Sequence, residues 1–390
     1  MNHDVGLAKA NSRSDEDFAA KLKALQQKES SETSSSKTAI IYDPYLDTLG
    51  GGERYTLTVA QTLLNHGWQV DLAWHDQSTV KEATKRFGLP LKNLVVSAEY
   101  YRLFSQKSSL STRRQALKDI DLVFVVSDGS VPILFGKKTF LHYQVPFTST
   151  NRFPLLNSLK LMSINKIIVN SFFTKSVIDQ TLKTNKTFVI YPPIDTDTFT
   201  PGKKTKTILG VGRFASPSHS KRQDVLIKAF KILVDQGLRG WELVLAGGQT
   251  GSNTQLEQFR KLSSGYPIKF MVNPDFKKLS SLYAQATFFW HAAGFEVDET
   301  LNPEAVEHFG MTTVEAMSAG CVPIVINKGG QKEIVSDQVG RLWDEVEELA
   351  AKTYSLINKP QMISQLSEAS IVHSKHFSTD NFSKQLLSLL

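Results

Sequence analysis

The chain has 390 residues, long for one core, so two domains are expected, and 41 % hydrophobic with 21 % charged residues is the composition of a soluble globular protein. No run of about 18 apolar residues occurs, so no membrane-spanning helix is expected; the polar N-terminus lacks a secretory signal core, and a single cysteine, Cys321, excludes an intramolecular disulfide, which fits a cytoplasmic protein. The net charge of +7 sits mainly in the first half, where residues 38–197 carry 18 basic and 13 acidic side chains; an anionic membrane face or nucleic acid could meet such a surface, but no nucleic-acid motif is present.

Residues 1–37 are polar, end in a Ser-rich run and read as a disordered tail. Ser14 to Asp17 can cap a short helix carrying Phe18, Leu22 and Leu25 on one side. Folding begins at Thr38. Ala39-Ile40-Ile41-Tyr42 predicts a strand, and Leu57, Ala60, Leu63 and Leu64 predict a helix over 53–66. Between them lies Gly50-Gly51-Gly52. Glycines at that position let a backbone approach a ligand closely, and the helix start favours anions; a plain tight turn is the alternative. Further strands are predicted at 70–74, 94–97, 121–126, 139–143, 166–170 and 187–191, with helical patterns between several of them. Residues 100–114 mix aromatics with four cations and no acid, the composition of an interfacial membrane patch or of a solvated loop. His142, at the end of an apolar strand, can donate to a phosphate or sugar hydroxyl if it faces a cleft, or serve the core.

Tyr191-Pro192-Pro193 and Pro201-Gly202-Lys203-Lys204 mark a boundary near residue 200. Asp195-Thr196-Asp197 has the Asp-x-Asp form of a metal site but follows a Pro-Pro turn, so it reads as turn chemistry, and no metal ligands are assigned. A second alternating series has strands at 207–211, 241–246, 268–272, 287–291 and 322–326. Its helices are placed at 222–236, 253–263, 276–284, 312–319 and 345–357. Two doubly wound α/β domains facing a central cleft follow: 38–200 and 201–375, with a C-terminal helix over 376–390 that could pack back on the first domain.

Arg213 ends the first strand of the second domain, and Lys221 follows eight residues later. A planar donor fork and a compact charge together suit a diphosphate, although two solvated cations would look the same. Glu307 and Glu315 flank a Phe309-Gly310 turn that leads into a helix. The turn and helix start can offer N–H groups to an anion, whereas the carboxylates suit hydroxyls. Phosphates in the middle and hydroxyl-rich ends describe a nucleotide sugar. From these two carboxylates alone, helix capping and glycoside hydrolysis stay open. His291, after an apolar strand, is a lesser candidate, and Gly329-Gly330 offers another close backbone approach before Glu333.

Together these segments resemble glycosyltransferase family 4, the retaining GT-B enzymes, over about residues 38–390. The resemblance rests on Glu307-x7-Glu315 with its Phe309-Gly310 turn, Gly51-Gly52-Glu53-Arg54, Val169-Asn170-Ser171, Tyr191-Pro192-Pro193-Ile194-Asp195 and Gly212-Arg213-Phe214. The wording around 142–147 and 307–315 is also similar to enzymes adding α-1,2-mannose to lipid-linked glycans. Lys221-Arg222-Gln223-Asp224 stands where the family often has Lys-Gly-x-Asp. The resemblance implies a GT-B fold, with the first domain on the acceptor side and the second binding the nucleotide sugar. It implies catalytic roles for Arg213, Lys221, Glu307 and His142. Donor contacts fall to Gly51, Gly52, Phe309, Gly310, Met311, Thr312 and Glu315, with Glu315 on the ribose. It implies a hexose, mannose first, moved from GDP-mannose or a UDP-sugar to a glycan or lipid-linked glycan, with no cofactor and no metal. A phosphorylase or epimerase on the same scaffold, or a nucleotide-sugar-binding subunit without turnover, are the alternatives.

Overall fold

The computed structural model describes residues 36–106, 108–150, 153–214, 221–249 and 254–390. The polar tail to residue 35, with the helix expected near 14–25, lies outside them.

The first sheet has seven strands: β1 (Thr38–Tyr42), β2 (Gln69–Ala73), β3 (Val95–Val96), β4 (Leu122–Val126), β5 (Lys138–Tyr143), β6 (Lys166–Val169) and β7 (Thr187–Val189). They run parallel in the order β3-β2-β1-β4-β5-β6-β7. The second has six: β8 (Thr205–Val211), β9 (Glu242–Gly247), β10 (Ile268–Val272), β11 (Ala286–His291), β12 (Val322–Ile326) and β13 (Arg341–Trp343). Their order is β10-β9-β8-β11-β12-β13, again parallel. Helices cover both faces of each sheet. Central strands therefore bury every side chain and read as unbroken apolar runs, Leu122-Val-Phe-Val-Val126 and Val322-Pro-Ile-Val-Ile326. In both sheets the strand order reverses beside the first strand, between β1 and β4 and between β8 and β11. A crevice opens at the carboxyl ends of strands at such a point.

Two elements differ from expectation. β13 has only three residues, too short for a periodic signal. The helix Pro360–Ser374 was hidden because its buried face holds Ser370 and Ser374, whose hydroxyls donate to Val339 O (2.6 Å) and Ile371 O (2.7 Å). After it the chain crosses back. The helix Thr379–Ser388 lays Phe382 and Leu386 into the core of the first sheet, against the helix Gly51–Asn65. Phe382 meets Tyr55 edge-on with ring centroids 4.9 Å apart, and the hydroxyls of Thr62 and Ser383 pair at 2.9 Å.

Candidate active site

The cationic wall is built at the end of β8. Gln223 donates from Nε2 to the carbonyls of Gly212 (3.3 Å) and Arg213 (3.1 Å), fixing the backbone from which Arg213 leaves. Lys221 precedes the helix Gln223–Asp235. Between them Arg222 has φ +52°, the left-handed conformation that favours glycine. Its guanidinium holds that turn by donating to Asp224, to Glu296 (3.2 Å) and to Phe295 O (2.8 Å). The departure from Lys-Gly thus changes the residue while the backbone keeps a conformation glycine would adopt.

The opposite edge is the turn from Glu307 to Met311. Gly310 has φ +118°, and a Cβ there would lie 2.5 Å from Gln331 Nε2, so a side chain is excluded twice. The helix Met311–Ser318 starts immediately afterwards, with no side chain capping its first turn. Glu307 Oε2 receives Lys221 Nζ at 2.6 Å and lies 3.0 Å from Nε2 of His291, the last residue of β11. Burial pushes the Glu307 pKa up, but Lys221 and His291 overcome it and hold the carboxyl well below the usual carboxylate range.

The third wall comes from the first domain. Gly51 and Gly52 open the helix Gly51–Asn65. Gln144 Nε2 donates to Gly52 O (3.1 Å), and Asn170 Nδ2 donates to Gln144 O (2.8 Å). A Cβ at Gly52 would fall 1.8 Å from Gln144 Oε1, and one at Gly51 2.7 Å from Met311 Sδ. The two domains approach within side-chain contact at this point. Gly51, Gly52, Arg213, Lys221, Glu307, Phe309, Gly310 and Met311 line one pocket of about 450 Å³. That volume suits a nucleotide-sized ligand. Two helix starts, the cations Arg213 and Lys221 and the carboxylates Glu304 and Glu307 border this one space, the mix of groups that suits an anion carrying hydroxyls.

Three sequence-predicted residues do not line this pocket. His142 is fully buried: its ring stacks on Tyr55 at 4.1 Å, and Nδ1 lies 3.1 Å from Ile168 O. Tyr55 lines the pocket and His142 does not, which corrects the expectation of a cleft-facing histidine. Burial lowers its pKa to about 3, so the ring is neutral. Thr312 follows Met311 into the helix without lining the space. Glu315 is turned toward Arg54 (3.3 Å) and Tyr283 OH (3.0 Å), and burial raises its pKa against both. A ribose hydroxyl reaching Glu315 has to share it with Arg54.

Gln144, Asn170, Tyr55 and His308 line the pocket but carried no role from sequence reasoning. The available signal was Val169-Asn170-Ser171, a strand-end triplet whose asparagine orients Gln144. Glu333 bridges the domains: it accepts from the N–H groups of Phe172 (2.8 Å) and Phe173 (2.6 Å) and from Tyr191 OH (3.1 Å). In the 100–114 segment the aromatics turn inward. Tyr100 and Leu103 are buried and Phe104 stacks on Tyr42, leaving Leu110 as the exposed large apolar residue there among the described residues. Asp195 accepts from Thr198 N (3.2 Å) and Asp197 pairs with Lys375 (2.6 Å). Among the described residues no group of three or more His, Cys, Asp or Glu is placed to hold a metal, and no helix is long and apolar enough to cross a membrane.

The family model Glycosyltransferase Family 4 matches residues 49–198, and the model Glycosyl transferases group 1 matches residues 195–372. The chain belongs to glycosyltransferase family 4. Its fold is the GT-B arrangement of two Rossmann-like domains. The chain is 30 % identical over 206 residues to the GDP-Man:Man(3)GlcNAc(2)-PP-Dol alpha-1,2-mannosyltransferase of Xenopus laevis, covering 47 % of this chain and 40 % of that one. It is 29 % identical over 227 residues to the Alpha-1,3/1,6-mannosyltransferase ALG2 of Saccharomyces cerevisiae, covering 50 % and 44 %. These matches span less than half the length of those relatives. A glycosyltransferase of Haemophilus influenzae is 23 % identical over 88 % of this chain and 97 % of its own. Among solved structures, a glycosyltransferase from Rickettsia africae superposes with a TM-score of 0.73 at 19 % identity, over 91 % of this chain and 98 % of that one. The Anabaena protein HepE in complex with UDP and glucose gives 0.64 at 18 %, over 91 % and 100 %.

Proposed function

We propose that this glycosyltransferase moves a hexosyl group, mannose in the first instance, from a nucleotide sugar to a hydroxyl of a glycan or lipid-linked glycan, with retention of anomeric configuration. The observation that carries the reading is the shared pocket of Arg213, Lys221, Glu307 and the Phe309–Gly310 turn. The donor diphosphate lies against Arg213, Lys221 and the helix starts at Gly51 and Met311. Glu307 takes sugar hydroxyls. In the present arrangement Lys221 neutralises Glu307; on donor binding the ammonium transfers to phosphate, and the donor's hydroxyls replace it on the carboxylate.

As the bond from the anomeric carbon to the phosphate oxygen breaks, positive charge grows on the sugar and negative charge on the diphosphate. Fixed cations and helix N–H groups favour that separated state over the ground state. The acceptor hydroxyl attacks the face the diphosphate leaves, and the departing phosphate oxygen takes its proton. No protein base is needed. The charge that a divalent cation would bring to the diphosphate is carried by Arg213 and Lys221, so the reaction runs without metal or cofactor.

GDP-mannose is the first donor because the mannosyltransferase relatives bear that donor or that sugar in their names. A UDP-sugar is the second reading, favoured by the similarly folded Anabaena protein solved with UDP and glucose. The deciding experiment is a calorimetric panel of GDP-mannose and UDP-sugars, followed by transfer with the best donor, with and without chelator, and by linkage analysis. GDP-mannose binding tightest, an α-linked product and turnover unchanged by chelator support the proposal. A β-linked product contradicts retention, loss of turnover with chelator contradicts metal independence, and no binding of any nucleotide sugar contradicts the donor site.

A further inference from the structure

His291 is the last residue of β11 and closes the apolar run Phe288-Phe289-Trp290. Its ring is 3 % exposed and does not line the pocket, although Ala293 and Gly294, just after it, do. A buried imidazole needs partners for its polar atoms. His142, the buried histidine of the first sheet, turns to a backbone carbonyl. His291 turns to Glu307: Nε2 lies 3.0 Å from Oε2, while Nδ1 is buried with no partner among the described residues. An ionised carboxylate only accepts, so Nε2 carries the proton in that bond. Among the described residues the polar reach of this ring therefore ends on a carboxylate of the pocket wall.

Lys221 reaches the same oxygen at 2.6 Å, but the two holds differ in kind. The lysine side chain is 33 % exposed and stands on a flexible stem, so its ammonium is free to swing to an arriving phosphate. The imidazole is a buried ring at the end of a strand flanked by β8 and β12, with two torsions and close-packed surroundings. When the ammonium leaves, Oε2 keeps its imidazole donor. The carboxylate then keeps a partner, without which burying its charge would be costly. Both holds fall on Oε2, and among the described residues no hydrogen bond reaches Oε1. A carboxylate fixed through one oxygen presents the other in a set direction. A site built to bond a substrate hydroxyl in this way rejects analogues that lack it.

We infer that His291 is a positioning residue: by clamping Oε2 of Glu307 it aims Oε1 at one hydroxyl of the donor sugar, and so sets the discrimination between sugars that differ at that hydroxyl. The inference rests on the transferase reading, in which Glu307 meets the donor sugar. It adds the group that keeps Glu307 in place once Lys221 has turned to phosphate.

The test measures kcat/KM of the full chain for GDP-mannose and its monodeoxy-mannose analogues, or for the matching UDP-sugar set if that donor binds tighter. His291→Leu fills the space without a donor. His291→Gln offers an Nε2–H at a reach close to that of the imidazole. His291→Asn carries the same amide one methylene short of Oε2, and takes the place of His291→Leu if that variant does not fold. Discrimination against the analogue that the wild type penalises most should fall by at least about tenfold in His291→Leu and His291→Asn, the scale of one hydrogen bond to a charged group. His291→Gln should recover most of it. In a Glu307→Gln background His291→Leu should bring no further loss, the mark of acting through Glu307. A purely structural part in β11 would act alike in both backgrounds. Full discrimination in His291→Leu, an equal loss in the Glu307→Gln background, or a wild type indifferent to every deoxy analogue overturns the inference and leaves the transferase reading standing. A wild type that binds none of these nucleotide sugars in calorimetry overturns both.

Discussion

Lys221 and His291 converge on one oxygen of Glu307, and that convergence gives the residue-scale predictions their form. On the proposed function, Lys221→Ala removes a donor to the departing diphosphate. Turnover should fall by about 10²–10³, the usual effect of deleting one transition-state donor, with the thermal midpoint little changed. Unchanged turnover would remove its phosphate role. His142 gives a pH prediction. Its pKa in the fold is about 3, below the ordinary 6.5. The unfolded chain therefore binds the extra proton between those values, and the stability contributed by the neutral ring is full above pH 6.5 and lost as pH falls toward 3. Between pH 7 and pH 5 the wild type should lose about 2 kcal/mol more than His142→Phe in urea unfolding; parallel losses would contradict the neutral buried ring. That Arg213, Lys221 and Glu307 line one pocket was legible in the sequence because residue type, a glycine turn and a strand end coincide there. The place of His142 was not, because a strand-end histidine reads alike whether an aromatic ring covers it or leaves it open. Tyr55, thirteen residues after β1, supplies that cover.

At the scale of elements, the helix Thr379–Ser388 completes the first domain from the far end of the chain. Phe382 is buried against Tyr55, so Phe382→Ala should cost about 3–5 kcal/mol in chemical denaturation and lower the midpoint of the whole chain. A loss below about 1 kcal/mol would mean that the helix only rests on the surface. The parallel strands were readable because burial on both faces leaves apolar runs that need no periodicity, as in β4 and β12. The helix Pro360–Ser374 was unreadable for the opposite reason, since buried serines bonded to backbone carbonyls mimic an exposed polar face. The aromatics at 100–114 misled in a related way: composition records which side chains are present, while the partners Tyr42 and Trp74, distant in sequence, decide which way they turn.

At the scale of the molecule, the two domains meet around the pocket through paired groups as well as through apolar packing of Tyr191 on Phe309 and Phe377. Glu333 caps the helix Phe172–Leu182, Arg54 pairs with Glu315, and Thr148 N donates to Glu304 (3.2 Å). Such contacts can exchange when a ligand enters, because each partner is a charge or polar group that water or the ligand can also satisfy. Glu333→Ala should raise the KM for donor while leaving each domain folded; an unchanged KM would show that the bridge does not shape the cleft. The account as a whole depends on Arg213 and Lys221 gripping one diphosphate. The most direct measurement is calorimetric titration of the nucleoside diphosphate and monophosphate of the donor's base into the wild type and Arg213→Ala/Lys221→Ala. The account predicts that the wild type prefers the diphosphate by at least about tenfold, or 1.4 kcal/mol, and that the variant loses this preference while its monophosphate affinity changes little. A variant that binds the diphosphate as tightly as the wild type would contradict it.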